Sequence, residues 1–180
     1  EDSKELSRAE YERLVSAAQA SGRERLVLLL ETICSTGIRV SEVKYITVEA
    51  LKLWKAEISL KGKIRTILLP NKLCRKLLKY AKKQKTDSGE IFLTRNGKGI
   101  SRKQIWAEMK SICAKAKVAV TKVFPRNLRH LFARVFYKAC RDGAKLADVL
   151  GHSSMETTRI YLISTGVEHA HTLERLRLVL

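Results

Sequence analysis

The stretch Thr36-Gly37-Ile38-Arg39-Val40-Ser41-Glu42 interrupts an apolar helix and places two opposite charges directly after the break. Upstream, apolar residues recur at helical spacing over residues 26–33, which predicts a strongly apolar helix that the glycine ends. Arg39 and Glu42 are three residues apart and therefore share one face of the short helix predicted up to Tyr45. On its own, such a pair is typical of a surface ion pair.

Helices dominate the pattern on either side of this stretch. Ser7-Arg8-Ala9-Glu10 has the S-x-x-E spacing of a capping box, in which the hydroxyl and the carboxylate satisfy free backbone donors, so a helix begins there. A second possible capping box runs from Ser153 to Glu156. The apolar spacing predicts further helices at residues 71–83, 102–117, 127–140, 144–150, 155–163 and 167–180.

A β-hairpin is predicted between the first helices and the basic helix 71–83. Residues 56–60 and 64–69 are rich in residues that favour strands, and Lys61-Gly62-Lys63 lies between them with the glycine in the turn. A further short strand is predicted at residues 91–93. The predicted fold class is therefore mainly α with a small antiparallel β-sheet, and residues 1–180 form one domain without a linker or repeat.

The charge of the chain predicts a polyanionic partner. The sequence has 36 Lys and Arg against 18 Asp and Glu, a formal net charge of +18. Such an excess favours nucleic acid, although charge alone does not say which kind. The longest strongly apolar run, residues 26–30, is far too short to cross a bilayer, so no membrane partner is predicted and a cytoplasmic location is expected.

The cysteines do not indicate a metal site. They are far apart in the sequence and form no C-x-x-C pair or Cys/His cluster, so we interpret them as reduced thiols, mostly in the core. No clustered Asp and Glu residues suggest a two-metal site either. No cofactor and no metal are predicted. The cysteines are Cys34, Cys74, Cys113 and Cys140.

Two later segments stand out beside the first. One is Pro125-Arg126-Asn127-Leu128-Arg129-His130, which alone is an ordinary basic helix start. The other is Leu150-Gly151-His152-Ser153-Ser154, followed nine residues after His152 by Tyr161. Alone, that histidine could cap a helix and that tyrosine could be a half-buried core ring.

Together and in this order, the three segments resemble the tyrosine recombinase family, which includes phage and transposon integrases and chromosome-dimer resolvases. The family motifs are T-G-x-R-x-S-E, a β-hairpin lysine, H-x-L-R-H and L-G-H-x-x-x-x-T-x-x-Y, and Thr158 supplies the threonine of the last. The resemblance covers essentially the whole chain. It implies the tyrosine recombinase catalytic-domain fold over residues 1–180, with the amino-terminal DNA-clamping domain of the family apparently absent.

The resemblance also implies the chemistry. Tyr161 would attack a DNA phosphodiester, leaving a covalent 3′-phosphotyrosine and a free 5′-hydroxyl without a metal or cofactor. Resealing with another strand would give site-specific recombination or integration. Arg39 and Arg129 suit the phosphate, because a guanidinium can hold two oxygens at once and keeps its charge. Glu42 would orient or neutralise Arg39, and His152 would donate a further hydrogen bond in the transition state.

A lysine in the hairpin turn protonates the leaving 5′-oxygen in this family. Lys61 is the expected residue, and Lys63 is the alternative because the turn is short. One position departs from the motif, since Arg126 stands where the first histidine of H-x-L-R-H is expected. An arginine cannot serve as a general base at neutral pH, but it can still bind the scissile phosphate. His130 is expected to have a structural role.

The expected partner is double-stranded DNA, and the family implies self-association on DNA as a tetrameric synapse. A bacterial mobile element and a nucleoid-associated location are the family-level expectations. The final helix, residues 167–180, would dock on a neighbouring protomer, or alternatively on its own domain. Two other functions remain open: a DNA-binding relative that Arg126 leaves weak or inactive, and type IB topoisomerase-like strand relaxation.

Overall fold

The computed structural model describes residues 4–140 and 176–180 of the chain. The predicted helices at residues 144–150 and 155–163 and the capping box at Ser153 lie outside the described residues. In chain order, the helices are α1 (Arg8–Ala20), α2 (Glu24–Thr36), a 3-10 helix (Val40–Tyr45), α3 (Val48–Leu53), α4 (Asn71–Lys83), α5 (Arg102–Ser111), α6 (Cys113–Ala116), a 3-10 turn (Val120–Lys122) and α7 (Pro125–Cys140). The strands are β1 (Lys55–Leu60) and β2 (Lys63–Leu68).

Helix α1 begins as the sequence predicts. The backbone N–H of Glu10 donates to the Ser7 hydroxyl over 3.1 Å, and the backbone N–H of Ser7 donates to the Glu10 carboxylate over 3.0 Å. Both halves of the capping box are therefore present and satisfy donors that a helix start leaves free. The apolar face of α1, including Tyr11 and Leu14, is fully buried.

Helix α2 is the centre of the core. All of its residues from Leu26 to Thr36 are buried, and it packs against α1, α4, α5 and α7. The helix ends at Gly37, which has a φ of 71°. The left-handed conformation costs least for a residue without a Cβ, so glycine is suited to this position. The chain then turns directly into the 3-10 helix that carries Glu42.

The two strands form the predicted antiparallel hairpin. Leu60 pairs with Lys63, so the turn consists of Lys61 and Gly62 alone, and both have positive φ values of 51° and 77°. Such a two-residue turn matches the natural twist of the strands. One face of the hairpin packs into the core. Its inward-facing residues are Ala56, Ile58, Arg65 and Ile67.

Near the hairpin, one helix was missed and one expected strand was wrong. Helix α3, capped by the Thr47 side chain, was not predicted, because its six residues are too few to show a clear period. Among the described residues, the strand expected at residues 91–93 joins no sheet and is flanked by the isolated bridges Thr47↔Glu90 and Leu93↔Gly99. These residues instead pack as a buried loop, in which Ile91 N donates to Ile46 O over 3.1 Å.

The expected helix at residues 167–180 is also wrong where the structure describes it, because residues 177–180 are not helical. This tail packs on its own domain. Tyr11 Oη donates to Leu178 O over 2.7 Å, and Leu180 N donates to Glu31 Oε2 over 2.6 Å. Lys76 Nζ bridges Glu31 Oε1 at 2.7 Å and Leu180 O at 3.0 Å, so the tail docks on α1, α2 and α4.

The structure describes the side chains of three of the four cysteines. Cys34, Cys74 and Cys113 are free and buried, as the sequence predicts. Burial raises the pKa of Cys113 and Cys34. Within the described ranges, no helix is long and apolar enough to span a bilayer. Within the same ranges, no group of three or more His, Cys, Asp or Glu side chains is placed to hold a metal ion.

Candidate active site

A basic cavity of about 300 Å³ opens between the 3-10 helix and the start of α7. It brings together three residues that the sequence predicts for the site, Arg39, Arg126 and Arg129. Arg102, at the start of α5, adds a fourth guanidinium. Like charges crowd together here, so the cavity is suited to an anion with several oxygen atoms.

A main-chain group holds Arg129 in place. Its Nε donates to the carbonyl oxygen of Gly37 over 2.6 Å, which joins α7 to the end of α2. Burial lowers the pKa of Arg129 to about 10, and the nearby charges of Arg39, Arg65 and Arg126 act in the same direction. The side chain is charged at neutral pH, and a bound anion would relieve the repulsion.

Arg39 is held by Glu42 at two points. The backbone N–H of Arg39 donates to Glu42 Oε1 over 2.7 Å, and its Nη1 lies 3.5 Å from Glu42 Oε2. Glu42 is 8% exposed, whereas the Arg39 side chain is 39% exposed and lines the cavity. Glu42 therefore contacts Arg39 from the buried side, and its role in orienting Arg39 stays a prediction.

Sequence analysis missed Arg65, which is the second partner of Glu42. Its Nη2 lies 2.6 Å from both carboxylate oxygens, and the residue is only 2% exposed. Burial lowers the pKa of Arg65, and the charge of Glu42 opposes that effect. One signal was available: Arg65 alternates with Ile67 and Leu69, so the hairpin pattern points a charged residue inward, where it needs a partner.

The hairpin lysines are exposed. Lys61 occupies the turn and Lys63 begins β2, and neither lines the cavity between Arg39 and Arg129. The structure therefore does not choose between them as the proton donor.

The histidine beside Arg129 does not line the cavity either. His130 is exposed on α7. Partial desolvation of its ring lowers the pKa of His130, and the charges of Arg126 and Arg129 lower it further. The remaining predicted residues, His152, Thr158 and Tyr161, lie outside the described residues.

An aromatic pair forms one wall of the cavity and was also missed. Trp106 and Phe124 stack with ring centroids 5.8 Å apart and planes 18° apart, and both line the cavity. Lys110 Nζ lies 5.5 Å from the Trp106 ring centroid and 5.8 Å from that of Phe124. Trp106 falls in the predicted helix at residues 102–117, where its spacing does not distinguish it from a core aromatic.

The fold and the cavity together define the class of protein. A mainly helical domain with one hairpin and an arginine cavity has the architecture of tyrosine recombinase catalytic domains. The crystal structure of XerA recombinase is similar with a TM-score of 0.70 and 24% identity, over 92% of this chain and 63% of that one. The integrase from mycobacterium phage Brujita gives a TM-score of 0.75 and 20% identity, over 97% and 58%.

The chain belongs to the phage integrase family, whose model matches residues 4–166. It is 31% identical to the tyrosine recombinase XerA of Pyrococcus furiosus over 187 residues, covering 96% of this chain and 64% of the relative. It is 30% identical to the tyrosine recombinase XerD of Agrobacterium fabrum, covering 88% and 57%. The chain thus spans less than two thirds of the length of these relatives.

Proposed function

We propose that this chain is an enzyme that cleaves and rejoins DNA at specific sites through a covalent 3′-phosphotyrosyl intermediate, in recombination or integration. The observation that carries the proposal is the cavity in which Arg39 and Arg129 converge from distant segments, each held from behind by Glu42 and Gly37 respectively. The family membership supports the same reaction. Residues 1–180 would constitute its catalytic domain.

The cavity suits the charge that develops during the reaction. When an oxygen attacks a phosphodiester, negative charge grows on the non-bridging oxygens. Preorganised donors stabilise such charge without having to reorganise at the moment of reaction. Arg39 and Arg129 would bind these oxygens, and Arg126 would add a third guanidinium in place of the histidine of the motif.

The remaining steps fall to residues other than these arginines. The Tyr161 oxygen would form the new bond to phosphorus while the bond from phosphorus to the 5′-oxygen breaks. Lys61, or alternatively Lys63, would supply the proton that the leaving 5′-oxygen takes up. His152 would donate a hydrogen bond to the phosphate. The phenolic proton would pass to water, because Arg126 cannot accept it at neutral pH.

Double-stranded DNA is the proposed substrate and partner. The net charge of +18 suits a duplex, and a similar solved structure is that of XerH site-specific recombinase bound to difH substrate. Its TM-score is 0.70 at 23% identity. Strand exchange needs more than one active site, so we propose that copies of this chain assemble on DNA as a tetrameric synapse. The reaction would take place in the cytoplasm, on nucleoid DNA.

One observation favours a second function. Arg126 lines the cavity where the motif has a histidine, so the phosphate site contains an extra permanent charge and no base at this position. Such a site binds a phosphodiester well but activates the nucleophile poorly. The alternative is a DNA-binding relative that cleaves weakly or not at all.

The test is covalent capture of DNA without added metal. The chain is incubated with labelled duplex that carries a nick beside the cleavage site, taken from the ends of the parent element or from a random-site pool. A denaturing gel then reveals any adduct. We expect an adduct with the native chain and none with Tyr161→Phe, while duplex binding stays nearly intact.

Tyr80→Phe is the matched control, because it removes a tyrosine hydroxyl from α4 and should leave the adduct unchanged. Arg39→Ala and Arg129→Ala should also suppress the adduct. Cleavage that persists in Tyr161→Phe would disprove the choice of nucleophile. Binding without any adduct in the native chain would support the DNA-binding alternative.

A further inference from the structure

We infer that Arg65 is a positioning residue. Through the carboxylate of Glu42, which it shares with Arg39, it fixes the position of the β1–β2 hairpin, and with it Lys61, relative to Arg39. The inference rests on the proposed function, in which Arg39 binds the scissile phosphate and Lys61 protonates the leaving oxygen. It assigns Arg65 no contact with DNA.

The hairpin side of this connection is buried and short. Arg65 faces inward from β2, opposite Ile58 on β1, and it is 2% exposed. Its Nη2 lies 2.6 Å from both oxygens of Glu42. A buried charge is costly unless it is paired, so the guanidinium and the carboxylate hold each other firmly.

The other side of the connection reaches the cavity. Glu42 belongs to the 3-10 helix, and its Oε1 accepts the backbone N–H of Arg39 over 2.7 Å. The same oxygen accepts from Arg65. One carboxylate therefore joins an inward-facing residue of β2 to the main chain and side chain of the first phosphate-binding arginine.

The ion pair between Arg65 and Glu42 indicates that a charge is needed at position 65. The neighbours Ala56, Ile58 and Ile67 on the same face of the hairpin are apolar and buried. An apolar residue in place of Arg65 would satisfy the packing and avoid the desolvation of an ion pair. What it could not do is bind the carboxylate that holds Arg39.

Because the hairpin is short, the ion pair between Arg65 and Glu42 also restrains the turn at Lys61 and Gly62. Arg65 is two residues from the start of β2, so roughly 7 Å of strand separates it from the turn. The turn consists of Lys61 and Gly62 alone, which leaves little slack between the strands. A second link, from Tyr45 Oη to Ser59 O, is exposed and longer at 3.2 Å. The buried ion pair is therefore the stiffer restraint.

The test separates a misplaced proton donor from a damaged phosphate site. Arg65→Met removes the charge and keeps much of the apolar stem, Arg65→Lys keeps the charge, and Lys55→Met removes an exposed charge from β1 as the matched control. Each is compared with the native chain on the duplex that the native chain cleaves. A second duplex has sulfur in place of the bridging 5′-oxygen of the scissile phosphate.

The sulfur substrate does not need the proton donor. Its P–S bond breaks to release a thiolate, which is stable without a proton because thiols are far more acidic than alcohols. Loss of a general acid typically slows the reaction at least about a hundredfold with the normal leaving group. Lys61→Ala should therefore be slow on the oxygen duplex and near the native rate on the sulfur duplex, whereas Arg39→Ala should be slow on both.

For Arg65→Met, we expect cleavage of the oxygen duplex to fall roughly a hundredfold. On the sulfur duplex, the deficit of Arg65→Met relative to the native chain should be at least about tenfold smaller. Arg65→Lys should be intermediate, and Lys55→Met should match the native chain. An equal deficit on both duplexes would overturn the inference, and so would no deficit at all. A native chain that cleaves neither duplex would instead contradict the proposed function.

A second measurement does not depend on cleavage. Amide hydrogen exchange of the free protein should rise in Arg65→Met both in the hairpin and in residues 39–45, because the shared carboxylate loses its bonds to Arg65. Arg65→Lys should show a smaller rise and Lys55→Met none. Unchanged exchange in residues 39–45 would show that Arg65 does not restrain Arg39, whatever the enzyme does to DNA.

Discussion

The Nε of Arg129 donates a hydrogen bond to the carbonyl oxygen of Gly37 over 2.6 Å. This bond orients the guanidinium through a neutral main-chain acceptor. Arg39 is oriented differently, by the carboxylate of Glu42. The two arginines that would share one phosphate are thus held by different acceptors, a main-chain carbonyl for Arg129 and a carboxylate for Arg39.

Gly37→Ala should impair the site more than it impairs the fold. Gly37 has a φ of 71°, and a Cβ there costs about 1–2 kcal/mol. A relaxed backbone would also turn the carbonyl away from Arg129, and a misplaced catalytic group can cost roughly a hundredfold in rate. Adduct formation and urea unfolding should be measured together.

Gly22→Ala is the matched control for that prediction. Gly22 has a φ of 70° beyond the end of α1, and no atom within 4 Å would meet its added Cβ. We expect a similar loss of stability and an unchanged cleavage rate. Equal losses of cleavage in the two variants would mean that the Gly37 carbonyl does not orient Arg129.

The arginine cavity should bind sulfate in the absence of DNA. An anion between Arg39, Arg126 and Arg129 relieves their mutual repulsion and stabilises the folded state by about 1.4 kcal/mol at ten times its Kd. The melting temperature should therefore rise in sulfate relative to chloride at equal ionic strength. Arg126→Ala should reduce this rise, and the exposed Arg95→Ala should not. An identical rise in both variants would place the anion elsewhere.

Arg126→His should add a pH dependence to cleavage. A histidine titrates near pH 6.5, so its neutral form can accept a proton above that pH and its charged form cannot below it. We expect the cleavage rate of the variant to exceed the native rate by about tenfold or more at pH 8, and to fall as the pH drops through about 6.5. A pH profile that matches that of the native chain would show that this position has no part in proton transfer.

Tyr11→Phe should weaken the docking of the carboxyl-terminal tail. The hydroxyl donates to Leu178 O over 2.7 Å in a buried contact, and its loss leaves that carbonyl unsatisfied. The free energy of unfolding in urea should fall by about 1 kcal/mol. Tyr45→Phe removes a hydroxyl bound to Ser59 O at the surface, and it should cost less than about 0.5 kcal/mol. The reverse order would contradict the described packing of the tail.

Local patterns predicted much of this molecule. The capping box at Ser7, the glycine end of α2 and the hairpin turn that contains Gly62 each depend on neighbours within a few residues, and each is present. Errors occurred where longer-range packing decides the conformation. Residues 91–93 have a strand composition but pair with neither of the two strands in the part of the chain that the structure describes. The tail at residues 177–180 is held in a non-helical form by contacts with Tyr11 and Glu31.

The sequence by itself determined the helical class and the excess of positive charge, and its motifs predicted Arg39, Glu42, Arg126 and Arg129 as site residues, because spacing and residue chemistry are local properties. Only the tertiary structure decided which side chains share one cavity and what holds them. The bond from Arg129 to Gly37 and the pairing of Glu42 with Arg65 join segments that are far apart along the chain. Such partners are selected by packing around α2, which no spacing within a single segment encodes.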